Sequence, residues 1–450
     1  MTPLPHRLPG AMFDALAAGG GGAEAMGMLA RAEHSRRLAC VYAVVTAARE
    51  AGGAAAEAAE EAWELLVAAD RAEPGAVAAV LTHPSAGPAL LGLLTRLTGG
   101  ETPPRMTMHR LTALAAAAAV RARVPAQVRW PAPGPVLALP SLGRAHFPGA
   151  RPGAPVELRV DTDGHARLAV PGSAPVRVPT TPYRPESPPD RWRAPYLLTT
   201  LRTGAPLLLD TLDPASFPSA SDRPGELHAD EVRAWASGAR GACALLRADH
   251  PEVHAELAAG PRLIVPLIGT GRGNVSGSSA ETFGCMAMSL PQNGSVFAAT
   301  MAHELQHNKF GALLHLFDLF EADGEELFYA PWRPDPRPLL GLFHGAYAHL
   351  GVARFWGRRS ETEPDPAQRA AAQTRFARWR SATHEATVVL LASGRLTPLG
   401  RRFAARMLES LDALCRVPLP PAALRHAEAA SRAHRSAWND SRGSAPPLPV

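Results

Sequence analysis

Within residues 300–320, TMAHELQHNKFGALLHLFDLF, the side chains His303, Glu304 and His307 spell H-E-x-x-H. Residues four apart on a helix stand on one face, about one turn from each other. Two imidazoles placed that way can bind a single metal ion, with a carboxylate beside them. No other stretch constrains the fold as strongly. It requires an unbroken helix here and at least one more ligand brought in from elsewhere in the chain. Five letters also recur by chance, so the surrounding sequence has to decide.

A chain of 450 residues is long enough for two or three domains and a sizeable core. The net charge of +5 is small for this size and no dense basic run stands out, so nucleic-acid binding is not implied. Cys40, Cys243, Cys285 and Cys415 are scattered, with no C-x-x-C pair. That argues against a zinc knuckle or iron–sulfur cluster and fits reduced thiols. No charged segment followed by an apolar one opens the sequence, and no run reaches the ~18 apolar residues of a membrane span. The expectation is a soluble cytoplasmic protein without a membrane partner. The one lysine, Lys309, points roughly away from the His303/His307 face, which favours a structural salt bridge over a catalytic role.

The expected fold is α+β and mainly helical, with a zincin-like strand ahead of the H-E-x-x-H helix. Residues 1–125 read as a helical N-terminal region, with Ala/Leu/Arg-rich segments near 13–18, 25–51, 54–69, 76–81 and 108–123. Gly- or Pro-containing punctuation falls at 19–22, 52–53, 83–87 and 102–105. Residues 126–225 read as a β-rich middle region with short alternating runs at 136–139, 156–160, 166–170 and 176–178, and Asp161, Asp163 and Gly164 in a hairpin connection. Residues 226–440 form the metal-binding catalytic region, and 441–450 a disordered tail.

Inside the catalytic region, 226–249 reads as helix and 262–268 as strand. The Gly/Ser-rich 269–279 lacks the Walker lysine and the G-x-G-x-x-G spacing of a phosphate cradle. Residues 282–290 have strand length and precede the motif helix. As an edge strand they would accept an extended peptide, making a polypeptide the expected substrate. Further helices are expected over 339–356, 366–392, 398–417 and 421–438.

His315 is the nearest candidate for a third ligand. Its spacing misses the metzincin pattern by two residues. With 313–320 read as continuing helix, it lies ~12 Å beyond His307 at ~1.5 Å per residue, so it is rejected. His344 and His349 are five apart and point about 140° from each other, so they cannot readily share the metal. Around His349 the helical neighbours Leu342, Gly345, Ala346, Val352, Ala353 and Trp356 make an apolar face. A histidine there needs a partner, either a metal or a carbonyl oxygen. With H-E-x-x-H short of a ligand upstream, the metal is favoured. Glu325, Glu326 and Asp335 remain as carboxylate alternatives.

The runs HELQHNKFGALL, YAPWRPDPRPLLGLFHGAYAHLGVARFW and SGRLTPLGRRF resemble a family of H-E-x-x-H-containing peptide-modification proteins. The upstream Ser278, Ser279, Phe283 and Gly284 (SS-x-x-x-FG) and the N-terminal FDALAAG…SRRL resemble the same family, so the similarity covers most of the chain. Its APWR-x-DPRP block is far more specific than H-E-x-x-H. The resemblance implies an iron(II)- and 2-oxoglutarate-dependent dioxygenase that β-hydroxylates side chains of a ribosomally made precursor peptide. Carried over by position, His303, His307 and His349 would hold the iron. The histidines at 344 and 315 depart from the family's usual Gln and Asp, which weakens a ligand role for either. Arg333 or Arg337 would clamp 2-oxoglutarate through paired hydrogen bonds; the competing reading is a loop held by pairing with Asp335. Glu304 would then stand beside the metal rather than act as a base. The alternative enzyme is a zinc metallopeptidase with Glu304 as general base. A non-enzymatic alternative is a leader-peptide-binding protein with a structural metal.

Overall fold

The computed structural model describes residues 6–99, 104–184, 191–211, 213, 217, 224–269, 274–321, 324 and 326–443. Alanine-rich segments with apolar residues at helical spacing form α1 (Gly10–Ala17), α2 (Gly22–Ala51), α3 (Gly53–Ala72), α4 (Pro74–Leu81), α5 (Ala86–Leu97) and α6 (His109–Ala122). The Pro- and Gly-interrupted stretch that follows is too broken for helix. It forms β1 (Ala126–Pro131), β2 (Val136–Leu139), β3 (Gly143–His146), β4 (Pro155–Val160), β5 (Ala166–Ala169), β6 (Val176–Val178), β7 (Trp192–Arg193), β8 (Tyr196–Thr200) and β9 (Pro206–Leu209). Then come α7 (Ala229–Asp249), α8 (Pro251–Ala259), β10 (Leu263–Pro266), β11 (Ser276–Gly277) and β12 (Cys285–Met288). The C-terminal part is helical throughout: α9 (Gly294–Leu314), α10 (Leu339–Thr362), α11 (Pro366–Ala392), α12 (Pro398–Cys415) and α13 (Pro421–Gly443). The fold is α+β and mainly helical. No single helix among the described residues is long and apolar enough to cross a membrane.

The chain divides into two compact units, each assembled from separated segments. One comprises residues 30–240 and 261–291. Its core includes α6, where Ala115–Ala119 are fully enclosed; side chains that small let neighbouring elements come close. Three sheets accompany these helices, in the orders β1-β4-β5-β6, β2-β3-β7 and β11-β12-β10-β9-β8. The β4–β5 hairpin closes as expected. The Asp161 carboxylate accepts from the backbone N–H groups of Asp163 (3.1 Å) and His165 (2.8 Å), and Gly164 takes φ +79°.

Several expectations change here. Helix α5 is not among the expected helices, and its first two residues fall in the punctuation expected at 83–87. Pro88 lies in the first turn, where its missing N–H is not needed. Gly87 is required by packing: a Cβ there would sit 2.3 Å from the Glu281 carbonyl oxygen. Helix α8 and the strands β1, β3, β7, β8, β9 and β11 are likewise absent from the expected elements. The run 282–290 is not an edge strand. Its central part, β12, lies between β11, antiparallel to it, and β10, parallel to it, while 280–282 form a 3-10 turn. Every residue of β12 is buried, as an interior strand requires. β12 therefore offers no free edge to an extended peptide.

The other unit comprises residues 1–29, 241–260 and 292–450. In it α9 packs on α10 and α10 on α11. The first contact is close because Gly351 has no side chain; a Cβ there would lie 2.6 Å from Gln306 Cγ. Phe310 anchors an aromatic cluster with Phe343, Tyr347 and Phe403, and Phe13 of α1 joins it through an edge contact to Phe403. The motif helix ends earlier than expected. Leu314 is its last residue and His315 its C-cap, after which 316–321 run to the α11–α12 connection. There Thr397 N donates to the Leu319 carbonyl and Glu321 N to that of Arg395. The expected tail lies, from residue 444 on, outside the described residues, as does Glu325.

Candidate metal centre

Helix α9 starts at Asn293, whose side-chain oxygen accepts from Val296 N at 2.9 Å. Nine residues into the helix, His303 and His307 stand one turn apart. Their Nε2 atoms are 3.1 Å from each other and their rings are nearly perpendicular, at 83°. Two nitrogens bound to one metal at about 2.0–2.1 Å, roughly at right angles or tetrahedrally, would be about 2.9–3.4 Å apart. The pair fits that requirement.

The fully buried Glu304 completes the compact donor set. One of its carboxylate oxygens is 3.9 Å from His303 Nε2, and the donor atoms of His303, Glu304 and His307 all fall within 4.8 Å of one another. His349, on α10, lies against His303 with ring centroids 4.9 Å apart, next to that set rather than inside it. Its Nδ1 donates to the Gly345 carbonyl at 2.9 Å, which leaves Nε2 with the lone pair a metal would use. The two readings of His349, bonded to a carbonyl or bound to a metal, are thus compatible on one ring.

His344, also on α10, meets the Nδ1 edge of His307 instead. Its Nδ1 is 2.5 Å from His307 Nδ1, with ring centroids 4.7 Å apart and planes inclined by 28°. Phe310 closes on it edge-on at 5.0 Å.

The proline-rich block provides the wall. Backbone bonds between Phe328 and Arg337 (2.7 and 2.9 Å) close it into a loop that presents Trp332. The indole stacks on His349 at 4.5 Å and 16°, and Trp379 of α11 covers the same imidazole at 4.8 Å. Gly345 makes room: a Cβ there would meet the Trp332 ring at 2.5 Å. Neither tryptophan was identified from the sequence. Trp332 lies in the distinctive block, but tryptophan is no metal ligand and the motif gave no reason to single it out.

Burial sets the protonation of the cluster. It pushes His303 and His307 well below the ordinary imidazole range, and the neighbouring histidines add to the effect. It holds His344 at about 4. It brings His349 to about 4 as well, with the Gly345 carbonyl working against and Arg378 adding to it. All four are neutral imidazoles near pH 7, the form that binds metals.

Arg333 and Arg337 both pair with Asp335, at 2.9 and 3.3 Å. This is the loop-holding arrangement, and it engages both oxygens of Asp335. Burial tends to raise that carboxyl, yet the two guanidinium partners leave it below the usual range. Glu326 is exposed. Lys309 forms the expected salt bridge. Its ammonium is 2.6 Å from Glu256, both are buried, and it also donates to the Gly20 carbonyl at 2.9 Å. A scan against protein-family models and a search of curated proteins returned no match to this sequence.

Proposed function

We propose that the protein is an iron(II)- and 2-oxoglutarate-dependent dioxygenase that hydroxylates the β-carbon of a side chain in a ribosomally made peptide. The observation that carries the metal part is the pair of neutral imidazoles with Nε2 atoms 3.1 Å apart beside a buried carboxylate. Non-haem iron oxygenases commonly use two histidines and a carboxylate; with His349 as the third side chain the set here would be a three-histidine variant, with Glu304 beside it. The oxidative and peptide parts rest on the sequence resemblance. The chain order of β12 followed by α9 is that of a zincin-like site, which the same proposal includes.

His303 and His307 would hold the iron, and His349 would supply the third side chain from α10. Iron(II) with 2-oxoglutarate and O2 would supply the oxidation of an unactivated carbon. The chain's own residues hold the donors and exclude water: Trp332 and Trp379 cover His349, and burial keeps every imidazole neutral. Arg333 or Arg337 would receive a carboxylate of 2-oxoglutarate in place of Asp335, which now takes one hydrogen bond from each guanidinium.

A second reading has one observation in its favour. Glu304 lies beside the two imidazoles, where a zinc peptidase needs a base to take a proton from water. The experiment separates the two. Protein purified without oxygen and loaded with Fe(II) is given 2-oxoglutarate, O2 and precursor peptides encoded beside its gene. Succinate and a peptide heavier by one oxygen atom are expected. Cleaved peptide with Zn²⁺ and no need for oxygen would overturn the oxygenase. Glu304→Gln should keep substantial hydroxylation but would abolish peptidase turnover. His349→Ala should lose the metal; full retention would remove His349 from the ligands.

A further inference from the structure

We infer that His344 is a positioning residue that fixes His307 as a metal ligand from behind, and is not itself a ligand. The inference rests on the metal-centre reading given above.

His307 has two ring nitrogens with different neighbours. Nε2 faces His303 at 3.1 Å and Nδ1 faces His344 at 2.5 Å. A metal held with His303 takes the Nε2 lone pair, so the ring proton of His307 must sit on Nδ1. That N–H donates to His344 Nδ1, which therefore accepts and carries its own proton on Nε2. A 2.5 Å gap between two nitrogens also leaves no room for an ion between them, since two ligands of one metal stand about 2.9 Å or more apart. His344 is thus on the far edge of the His307 ring from the metal.

Ligating histidines usually donate this second N–H to a carboxylate, a backbone carbonyl or water, which fixes tautomer and ring orientation. His349 follows the rule through Gly345. For His307 a neutral imidazole replaces the usual oxygen acceptor. The two rings meet edge to edge with their planes inclined by only 28°, so the N–H and the lone pair lie near one plane, and Phe310 packs against His344 at 82°. A neutral acceptor adds no charge behind the ligand, so the bound metal keeps more of its own positive charge than it would with a carboxylate there.

Co(II) is the probe, because it shifts the ring N–H protons of bound histidines out of the ordinary proton spectrum. Wild type, His344→Gln and His344→Leu are loaded with Co(II), and affinity is measured by chelator competition. The Gln amide oxygen can accept from His307; Leu cannot. We expect His344→Gln to stay within ~3-fold of wild type and His344→Leu to lose about 10–100-fold. His344→Leu should also show one fewer slowly exchanging ring N–H resonance, with unfolding temperatures of the metal-free proteins confirming the fold. Unchanged affinity and an unchanged resonance count in His344→Leu would overturn the inference while leaving the metal centre standing. So would a His344→Gln that loses Co(II) as completely as His307→Ala, because His344 would then be a ligand. A wild type that does not hold Co(II) would instead bring down the metal-centre reading, and this one with it.

Discussion

Lys309 lies two residues past His307, and its buried pairing with Glu256 shows how much one side chain can hold. Glu256 accepts from Gly22 N at 2.9 Å with one oxygen and from Lys309 with the other. Three segments therefore meet at one carboxylate: α8, the first residue of α2 and α9. Burial pushes Glu256 up and Lys309 down, and their pairing opposes both shifts. Lys309→Met strands a buried charge and should cost about 3–5 kcal/mol in urea unfolding. Adding Glu256→Gln should recover part of that loss, since the amide is neutral and still accepts from Gly22. A lone Lys309→Met as stable as wild type would show that the pair does not hold these segments. The direction of Lys309 was legible from helical angle alone, but its partner was not, because nothing local in 251–259 marks Glu256 as buried. The same limit applied to the site. Periodicity separated His344 from His349; it could not show that His344 meets the back of His307.

Among elements, two of the expected C-terminal helices carry chemical start signals. Asp365 accepts from Gln368 N ahead of α11, and Thr397 accepts from Gly400 N ahead of α12, each followed at once by proline. Glycine was the ambiguous letter. At 19–22 it marks a real break with positive φ at Gly19, Gly21 and Gly22, whereas at Gly87 and Gly345 it sits inside helices because another group occupies the place of a Cβ. Gly345→Ala tests this on α10. The methyl group would drive Trp332 off His349, so intrinsic fluorescence should report a more solvated tryptophan and the helix content should stay. On the function proposed above, hydroxylation by the metal-loaded protein should fall at least ~10-fold if the indole shields the centre. Gly345→Ala with unaltered fluorescence would mean that the loop carrying Trp332 yields without leaving the imidazole.

At the scale of the molecule, the chain is not divided in the order it is written. The unit that holds the histidines draws residues from both ends and from 241–260. Reading consecutive segments could not reveal this, because the ties are single long-range contacts: Tyr347 OH to the Leu16 carbonyl at 2.6 Å, and Arg402 to Asp14 at 2.8 Å. Stability should carry the signature of its buried imidazoles. His250, stacked on Phe355 at 4.7 Å, is pushed by burial from 6.5 to about 4. Its folded form resists a proton that the unfolded chain accepts. As pH falls from about 6.5 to about 4 the unfolded state binds more protons and stability is lost. His250→Leu should flatten that decline in the unfolding temperature; an unchanged slope would assign the decline to other groups.

The lone lysine has one more use. Its amine is fully enclosed between α9 and Glu256. Amine-acylating reagents should therefore find no side chain to modify while the protein stays folded. Modification of Lys309 would then time the opening of the helix that carries the metal motif, giving a built-in clock at a single atom that needs no engineered label.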